Sequence, residues 1–106
     1  MTRGEEHSSS QRPLSEDTAS FLVGVAAVTR MIRAREGLSQ AEVARRAGVG
    51  EKFISAIEHG RANPSVRRMG QLAEGLGLAG AAELASKAED AARRIADATV
   101  RDLAGE

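Results

Sequence analysis

The charged side chains with the clearest chemical use lie in the middle of the chain, at Glu51, Lys52 and Arg61. The ammonium group of Lys52 can donate to O6 and N7 of guanine, and the carboxylate of Glu51 can accept from N4 of cytosine. Arg61 carries a permanent positive charge that suits a phosphate, and such a contact adds salt-dependent affinity. These residue types indicate hydrogen bonding to base edges and to a phosphate backbone.

The composition excludes several other kinds of site. The chain of 106 residues contains no cysteine, which excludes disulfides, zinc–thiolate centres and thiol catalysis. Its two histidines, His7 and His59, are too few and too far apart to indicate a metal site. No acid–base pair in a pocket, no Ser–His arrangement and no glycine-rich phosphate loop after a strand is evident. We therefore expect a protein that is not an enzyme and that needs no metal or cofactor.

Positive charge is concentrated in the centre of a chain whose formal net charge is zero. Residues 19–80 hold 9 basic and 5 acidic side chains, residues 1–18 hold 2 and 4, and residues 81–106 hold 4 and 6. A basic centre between acidic ends is compatible with nucleic-acid binding, although the surplus alone does not establish it. The segment 1–18 is polar and lacks a periodic apolar face, so we predict a disordered tail there.

The elements that must position these side chains are predicted to be five helices, with no strand. Twenty alanines and only two aromatic residues favour packed helices over a sheet. Ser39 and Glu42 form a predicted capping box, and Asn63 followed by Pro64 suits a further helix start. Apolar residues recur at helical spacing in the segments 19–35, 40–47, 51–59, 64–76 and 81–103. In the fourth segment the residues expected to face inward are Val66, Met69, Leu72, Ala73 and Leu76.

A tight turn, Gly48-Val49-Gly50, joins the second and third predicted helices. Gly48 can adopt the left-handed backbone that bends the chain sharply. Val49 can fill the angle between the two helices, and Ala44 is small enough for them to approach closely. Two short helices joined in this way form a helix-turn-helix, whose second helix enters the major groove of DNA.

Around this turn the chain resembles the lambda-repressor/Cro-like helix-turn-helix family, often called the XRE family. The likeness covers about residues 20–80, and in this order its motifs are highly specific: Leu38-Ser39-Gln40, Val43-Ala44, Ala47-Gly48-Val49, Ile54-Ser55, Ile57-Glu58, Gly60, Asn63-Pro64-Ser65 and Leu72-Ala73 followed by Leu76-Gly77. The resemblance implies a five-helix domain that binds operator DNA, usually as a homodimer.

The resemblance also implies roles for individual positions. At the start of the second helix, a phosphate would be held by Gln40. The positions of the third helix that would face bases and phosphates are Glu51, Lys52, Ser55 and Ala56. The loop after that helix would reach backbone phosphates through Arg61 and Asn63. A structural ion pair between the first and third helices would be formed by Arg33 and Glu58.

Several positions near the turn also allow other interpretations. Glu51 could simply stabilise the positive end of its helix, and Phe53 could either pack on the helix surface or touch a thymine methyl group of the DNA. For Arg67 and Arg68, contact with the DNA backbone and exposure to solvent are equally favoured interpretations. Gly50 replaces the Ser or Thr that usually caps this helix, which predicts a looser N-terminus. Because many relatives carry glutamine where this chain has Glu51, their target sequences do not transfer.

The last helix leaves three possibilities open. A heptad-like stripe is formed by Leu84, Ala88, Ala91, Ile95 and Ala98. It could fold back on its own bundle, pair with a second subunit or dock a different protein. We predict that residues 81–106 dimerise, because a two-fold operator requires a two-fold protein.

Together these features predict an all-α, lambda-repressor-like regulator of transcription that inserts helix 51–59 into the major groove. Repression is favoured over activation, because steric exclusion from an operator needs no extra surface. The polar, acidic N-terminus and the lack of a long apolar run indicate a cytoplasmic protein without membrane contact, and richness in Arg, Ala and Gly indicates a bacterial source. The alternative is a helix-turn-helix interaction module, or an antitoxin, that binds a partner protein through its C-terminal helix.

Overall fold

The computed structural model describes residues 14–105, and within them the chain forms five α-helices and no strand. In chain order the helices are α1 (Glu16–Glu36), α2 (Gln40–Ala47), α3 (Glu51–Glu58), α4 (Val66–Gly75) and α5 (Ala81–Leu103). The predicted all-α architecture of five helices is confirmed. Of the predicted tail, residues 1–13 lie outside the described part of the chain.

Helix α1 begins at Glu16, three residues before the predicted start. Ser15 caps the helix, since its Oγ accepts a hydrogen bond from the backbone N–H of Thr18 at 3.1 Å. The carboxylates of Glu16 and Asp17 stabilise the positive end of the helix. Both are exposed, so the apolar periodicity begins only at Phe21 and gives a start that is too late. Residues 16–18 of the predicted tail are therefore helical.

Helix α4 begins at Val66, and the predicted start at Asn63 and Pro64 is wrong. Ser65 is the N-cap residue, and its Oγ accepts a hydrogen bond from the backbone N–H of Arg68 at 3.1 Å. Asn63 and Ser65 both belong to residue types that cap helices, and Ser65 is the one that makes the capping hydrogen bond. With this start Val66 is 82% exposed, contrary to expectation. The other residues predicted to face inward are buried: Met69, Leu72, Ala73 and Leu76.

We expect Ser65→Ala to lower the free energy of unfolding by about 1 kcal/mol, because it removes the hydrogen bond that caps α4. Asn63→Ala is the matched control, and its effect should stay within about 0.5 kcal/mol because Asn63 caps no helix. Urea denaturation followed by far-UV circular dichroism compares both variants with the wild type. Equal losses in the two variants would contradict the assignment of the cap.

One apolar core holds the short helices together. Its most deeply buried apolar side chains come from all five helices and are Val25, Val28, Val43, Ile54, Ile57, Leu72 and Leu84. Helices as short as α2 and α3 are not stable alone, so their place is set by this shared core. Within residues 14–105, none of the helices combines the length and the hydropathy needed to cross a membrane.

Two glycines let pairs of helices approach closely. A Cβ atom added at Gly24 of α1 would lie 2.0 Å from the carbonyl oxygen of Ala88 in α5. A Cβ atom added at Gly75 of α4 would lie 2.7 Å from the Cβ of Ala47 in α2. Since atoms do not pack this closely, both contacts exist only because glycine has no side chain.

The first half of α5 packs on its own domain. Leu84, Ala88 and Ala91, which begin the predicted stripe, are buried. Further along the helix, Ile95, Val100 and Leu103 are 40%, 64% and 84% exposed. Folding back on the bundle therefore accounts for the first part of the stripe, and the apolar side chains of the distal part remain accessible.

Candidate nucleic-acid interface

The turn between α2 and α3 has the predicted backbone conformation. Gly48 ends α2 with a φ of 71°, in the left-handed region. The N–H of Val49 donates to the carbonyl oxygen of Ala44 at 3.0 Å, and Val49 is half-buried against the core. Gly50 is the N-cap residue of α3 and makes no side-chain hydrogen bond. The turn therefore holds α3 against α2 without a side-chain cap on α3.

Helix α3 has one buried face and one accessible face. Ile54 and Ile57 are buried in the core, as predicted. Glu51 and Lys52 are exposed in the first turn, and further along the helix Ser55 and Ala56 are half-buried. The polar side chains singled out from the sequence are thus accessible at the helix N-terminus, where the partial positive charge of the backbone favours an anion.

Phe53 packs inside the protein more than it faces solvent. Its side chain is half-buried against the core. The guanidinium carbon of Arg68, on α4, lies 5.0 Å from the centroid of the Phe53 ring. Of the two interpretations of Phe53, this environment favours packing over contact with a thymine methyl group.

The loop between α3 and α4 exposes Arg61 and Asn63. Gly60 has a φ of 69°, and the N–H of Arg61 donates to the carbonyl oxygen of Ala56 at 2.8 Å. This bond sets the path of the chain directly after α3. Arg61 and Lys52 therefore lie at opposite ends of α3, and a ligand that contacts both must extend along the helix.

The predicted ion pair between Arg33 and Glu58 is present. Arg33 Nε donates to Glu58 Oε2 at 2.7 Å, and Arg33 Nη2 donates to Glu58 Oε1 at 2.9 Å. The carboxylate side chain is only 4% exposed. Arg30 Nη1 donates to the backbone carbonyl of Glu58, and Gln40 Nε2 donates to Glu58 Oε1 at 3.0 Å. Glu58 therefore ties the end of α3 to both α1 and α2.

Glu58 stays ionised although it is buried. Removal from water by itself raises the pKa of this carboxyl. The hydrogen bonds from Arg33 and Gln40 and the charges of Arg33 and Arg30 outweigh that effect, so the pKa lies below its ordinary value. The hydrogen bond to Glu58 in turn raises the pKa of Arg33. Two arginines surround one carboxylate, so the cluster as a whole keeps a positive charge.

The side chain of Gln40 makes a hydrogen bond within the protein, whereas the resemblance implied that it holds a phosphate. Its Nε2 atom donates one N–H to Glu58, as described above. A glutamine amide has two N–H donors, so one donor is left for a phosphate at the start of α2. The phosphate role of Gln40 stays a prediction.

Two contacts of arginines in this region, those of Arg30 with Glu58 and of Arg68 with Phe53, were not predicted from the sequence. Arg30 lies three residues before Arg33 on α1, and this helical spacing is a signal that could have indicated a shared contact with Glu58. The contact between Arg68 and Phe53 joins two separate helices. No local pattern in the sequence indicates it.

A family model described as a helix-turn-helix domain matches residues 25–86. The uncharacterized HTH-type transcriptional regulator y4dJ of Sinorhizobium fredii is 40% identical to this chain over 47 residues, which are 44% of this chain and 61% of that protein. The chain therefore spans about three fifths of the length of this curated relative.

Solved structures with a similar fold include several regulators. The clp gene regulator ClgR from Corynebacterium glutamicum has a TM-score of 0.64 at 25% identity, covering 87% of this chain and 88% of that one. The hypothetical transcription factor NHTF from Neisseria has a TM-score of 0.57 at 32% identity, covering 68% and 83%. The restriction-modification controller protein C.Esp1396I has a TM-score of 0.61 at 20% identity, covering 70% and 95%, and bears on the fold alone.

Proposed function

The chain belongs to the helix-turn-helix domain family, and from that premise we propose that it is a regulator of transcription that binds double-stranded DNA in a sequence-specific manner. The observation that carries the proposal is the accessible first turn of α3. There Glu51 and Lys52 are exposed, while Ile54 and Ile57 anchor the opposite face in the core. A helix held in this way can enter a major groove without losing its own packing.

In the proposed complex, the N-terminal end of α3 contacts base edges. Lys52 donates to guanine and Glu51 accepts from cytosine. Arg61 and Asn63, exposed in the following loop, contact backbone phosphates, as does the free amide donor of Gln40. Ser55 and Ala56 line the same face of α3. Occupation of the operator excludes other proteins from it, so we propose repression. We also propose that the protein acts in the cytoplasm of a bacterium.

Dimerisation is part of the proposal and is assigned to the distal half of α5. Its accessible apolar residues are Ile95, Val100 and Leu103. A second copy that covers them would create a two-fold protein for a two-fold operator. Sedimentation of the purified chain at increasing concentration tests this step, and a monomer at every concentration would contradict it.

The proposal predicts an enriched inverted repeat when binding sites are selected from a random pool of duplex DNA. Half-sites should lie about one helical turn apart, roughly 34 Å. The selection is made at two salt concentrations. Weak retention without an enriched sequence, lost at the higher salt, would contradict sequence-specific binding.

Lys52→Ala should weaken binding to the selected site about tenfold or more, because it removes a base contact of the size that discriminates between bases. Lys87→Ala is the matched control: it removes the only other lysine of the chain, which is exposed on α5. Binding constants from fluorescence anisotropy with labelled duplex compare the variants. An equal loss in both variants would show that only general positive charge matters.

A second candidate function is binding of a partner protein, as in an antitoxin. The exposure of Val100 and Leu103 on α5 favours it, because a partner could cover these side chains as well as a second copy could. The two functions differ in their response to Lys52→Ala. DNA regulation predicts that operator binding is lost, whereas binding of a partner through α5 predicts that the partner interaction is unchanged.

A further inference from the structure

The contact between Phe53 and Arg68 joins the helix proposed to enter the groove to the helix that follows it. Phe53 is the third residue of α3, and Arg68 is the third residue of α4. The guanidinium carbon lies 5.0 Å from the ring centroid, within the range in which an aromatic face attracts a cation. The ring itself is half-buried against the core, so it offers Arg68 a fixed surface.

The guanidinium group of Arg68 keeps its hydrogen-bond donors available. Among residues 14–105, no carboxylate oxygen lies within 4.0 Å of it, and only the backbone N–H of Arg68 donates, to Ser65 Oγ. An aromatic ring attracts the charge without accepting the five N–H donors of the guanidinium. Arg68 is thus oriented within the protein and is still able to bind an anion.

The location of this group points to a particular anion. Arg68 extends from α4 and lies beside the first turn of α3, where Glu51 and Lys52 are exposed. If α3 occupies the groove, a side chain from the neighbouring helix lies at the edge of the groove, where the phosphates run. A planar guanidinium fork matches a phosphate in two hydrogen bonds.

We propose that Arg68 binds a DNA phosphate beside the end of α3 that carries Lys52, and that Phe53 is a positioning residue that holds the guanidinium for this contact. The inference rests on the proposed function. It gives Phe53 an effect on DNA binding without contact to a base. Because the side chain is already oriented, less conformational freedom is lost on binding.

The test measures affinity for the selected duplex at about 50 and about 200 mM salt. One phosphate contact accounts for roughly a threefold change in affinity over this range, so the salt-induced loss should be roughly threefold smaller for Arg68→Ala than for the wild type. Arg67→Ala is the matched control, since it removes a neighbouring, exposed arginine that does not stack on Phe53. Its effect on the salt dependence should be smaller.

Phe53 is tested by two substitutions and a double variant. Phe53→Leu keeps an apolar side chain in the core but removes the aromatic face, and it should reduce affinity and salt dependence in the same direction as Arg68→Ala. Phe53→Tyr keeps the face and should bind like the wild type. The double variant with Phe53→Leu and Arg68→Ala should bind no more weakly than Arg68→Ala alone. Far-UV circular dichroism verifies that each variant is folded.

The outcomes separate this inference from the function on which it rests. If the wild type binds no duplex, the proposed function fails and the inference fails with it. If the wild type binds but Arg68→Ala behaves like Arg67→Ala, only the inference fails. Additive losses from Phe53→Leu and Arg68→Ala would overturn the positioning role. A changed base preference in Arg68→Ala would overturn the phosphate as the ligand.

Discussion

Gly24→Ala should lower the free energy of unfolding by about 2–3 kcal/mol, although alanine is the better helix former. The added Cβ would lie 2.0 Å from the carbonyl oxygen of Ala88. This oxygen belongs to the backbone of α5 and cannot rotate away as a flexible side chain would. Helices α1 and α5 must therefore separate by about 1 Å, which loosens the packing of Leu84 and Ala91 beside the contact.

Gly70→Ala is the matched control for this prediction. Gly70 also lies within a helix, α4, but a Cβ atom added there meets no heavy atom within 4 Å other than those of its chain neighbours and of the backbone of its own helix. This variant should be more stable than the wild type by up to about 1 kcal/mol, because only the helix propensity changes. The chain has no tryptophan or tyrosine, so urea denaturation is followed by far-UV circular dichroism. A stabilised Gly24→Ala variant would contradict the close crossing of α1 and α5.

Glu58→Ala should lower the free energy of unfolding by about 3 kcal/mol, because it leaves Arg33 and Gln40 without the carboxylate that accepts their hydrogen bonds. The value lies at the lower end of the range for buried pairs, since the Arg33 side chain is 27% exposed and water can replace part of the interaction. Glu36→Ala is the control. Glu36 Oε2 lies 3.6 Å from Arg35 Nε in a pair that is more than half exposed on both sides. Its loss should cost less than about 0.5 kcal/mol.

The same carboxylate makes stability depend on pH in the acid range. The pKa of Glu58 is lower in the folded chain than its ordinary value of 4.5, so the unfolded chain binds the proton more readily. The contribution of Glu58 is therefore complete above about pH 4.5 and is lost as the pH falls through the folded pKa. Glu42 acts in the same direction, because the backbone N–H of Ser39 lowers the pKa of its carboxyl.

Glu58→Gln separates the two carboxylates. This variant keeps the shape of the side chain but does not titrate, so its stability should fall less steeply below pH 4.5 than that of the wild type. The decrease in stability that remains in this variant at low pH is assigned in part to Glu42. Urea denaturation at a series of pH values measures both curves. Curves that fall equally steeply would contradict the role of Glu58.

The family match over residues 25–86 confirms the helix-turn-helix resemblance. Much of the structure of this motif could be predicted from the sequence, because the signals that indicate it are local. The capping box of Ser39 and Glu42 is present, with hydrogen bonds of 3.0 and 2.8 Å. Gly48 adopts a left-handed backbone conformation, which glycine adopts more readily than any other residue type. The contacts of the candidate site with DNA stay predictions, since they depend on a partner outside the chain.

The sequence by itself determined the all-α class, the helix-turn-helix and the bounds of α2 and α5, because caps, glycines and apolar spacing act over a few residues. Apart from the pair of Arg33 and Glu58, which the family resemblance implied, only the tertiary structure decided which residues of separate helices meet. Gly24 lies against Ala88, Gln40 donates to Glu58, and Arg68 lies over Phe53. These contacts depend on how the helices cross in the shared core. The geometry of that crossing is determined jointly by many side chains that are far apart in the sequence. No short segment of the sequence therefore predicts it.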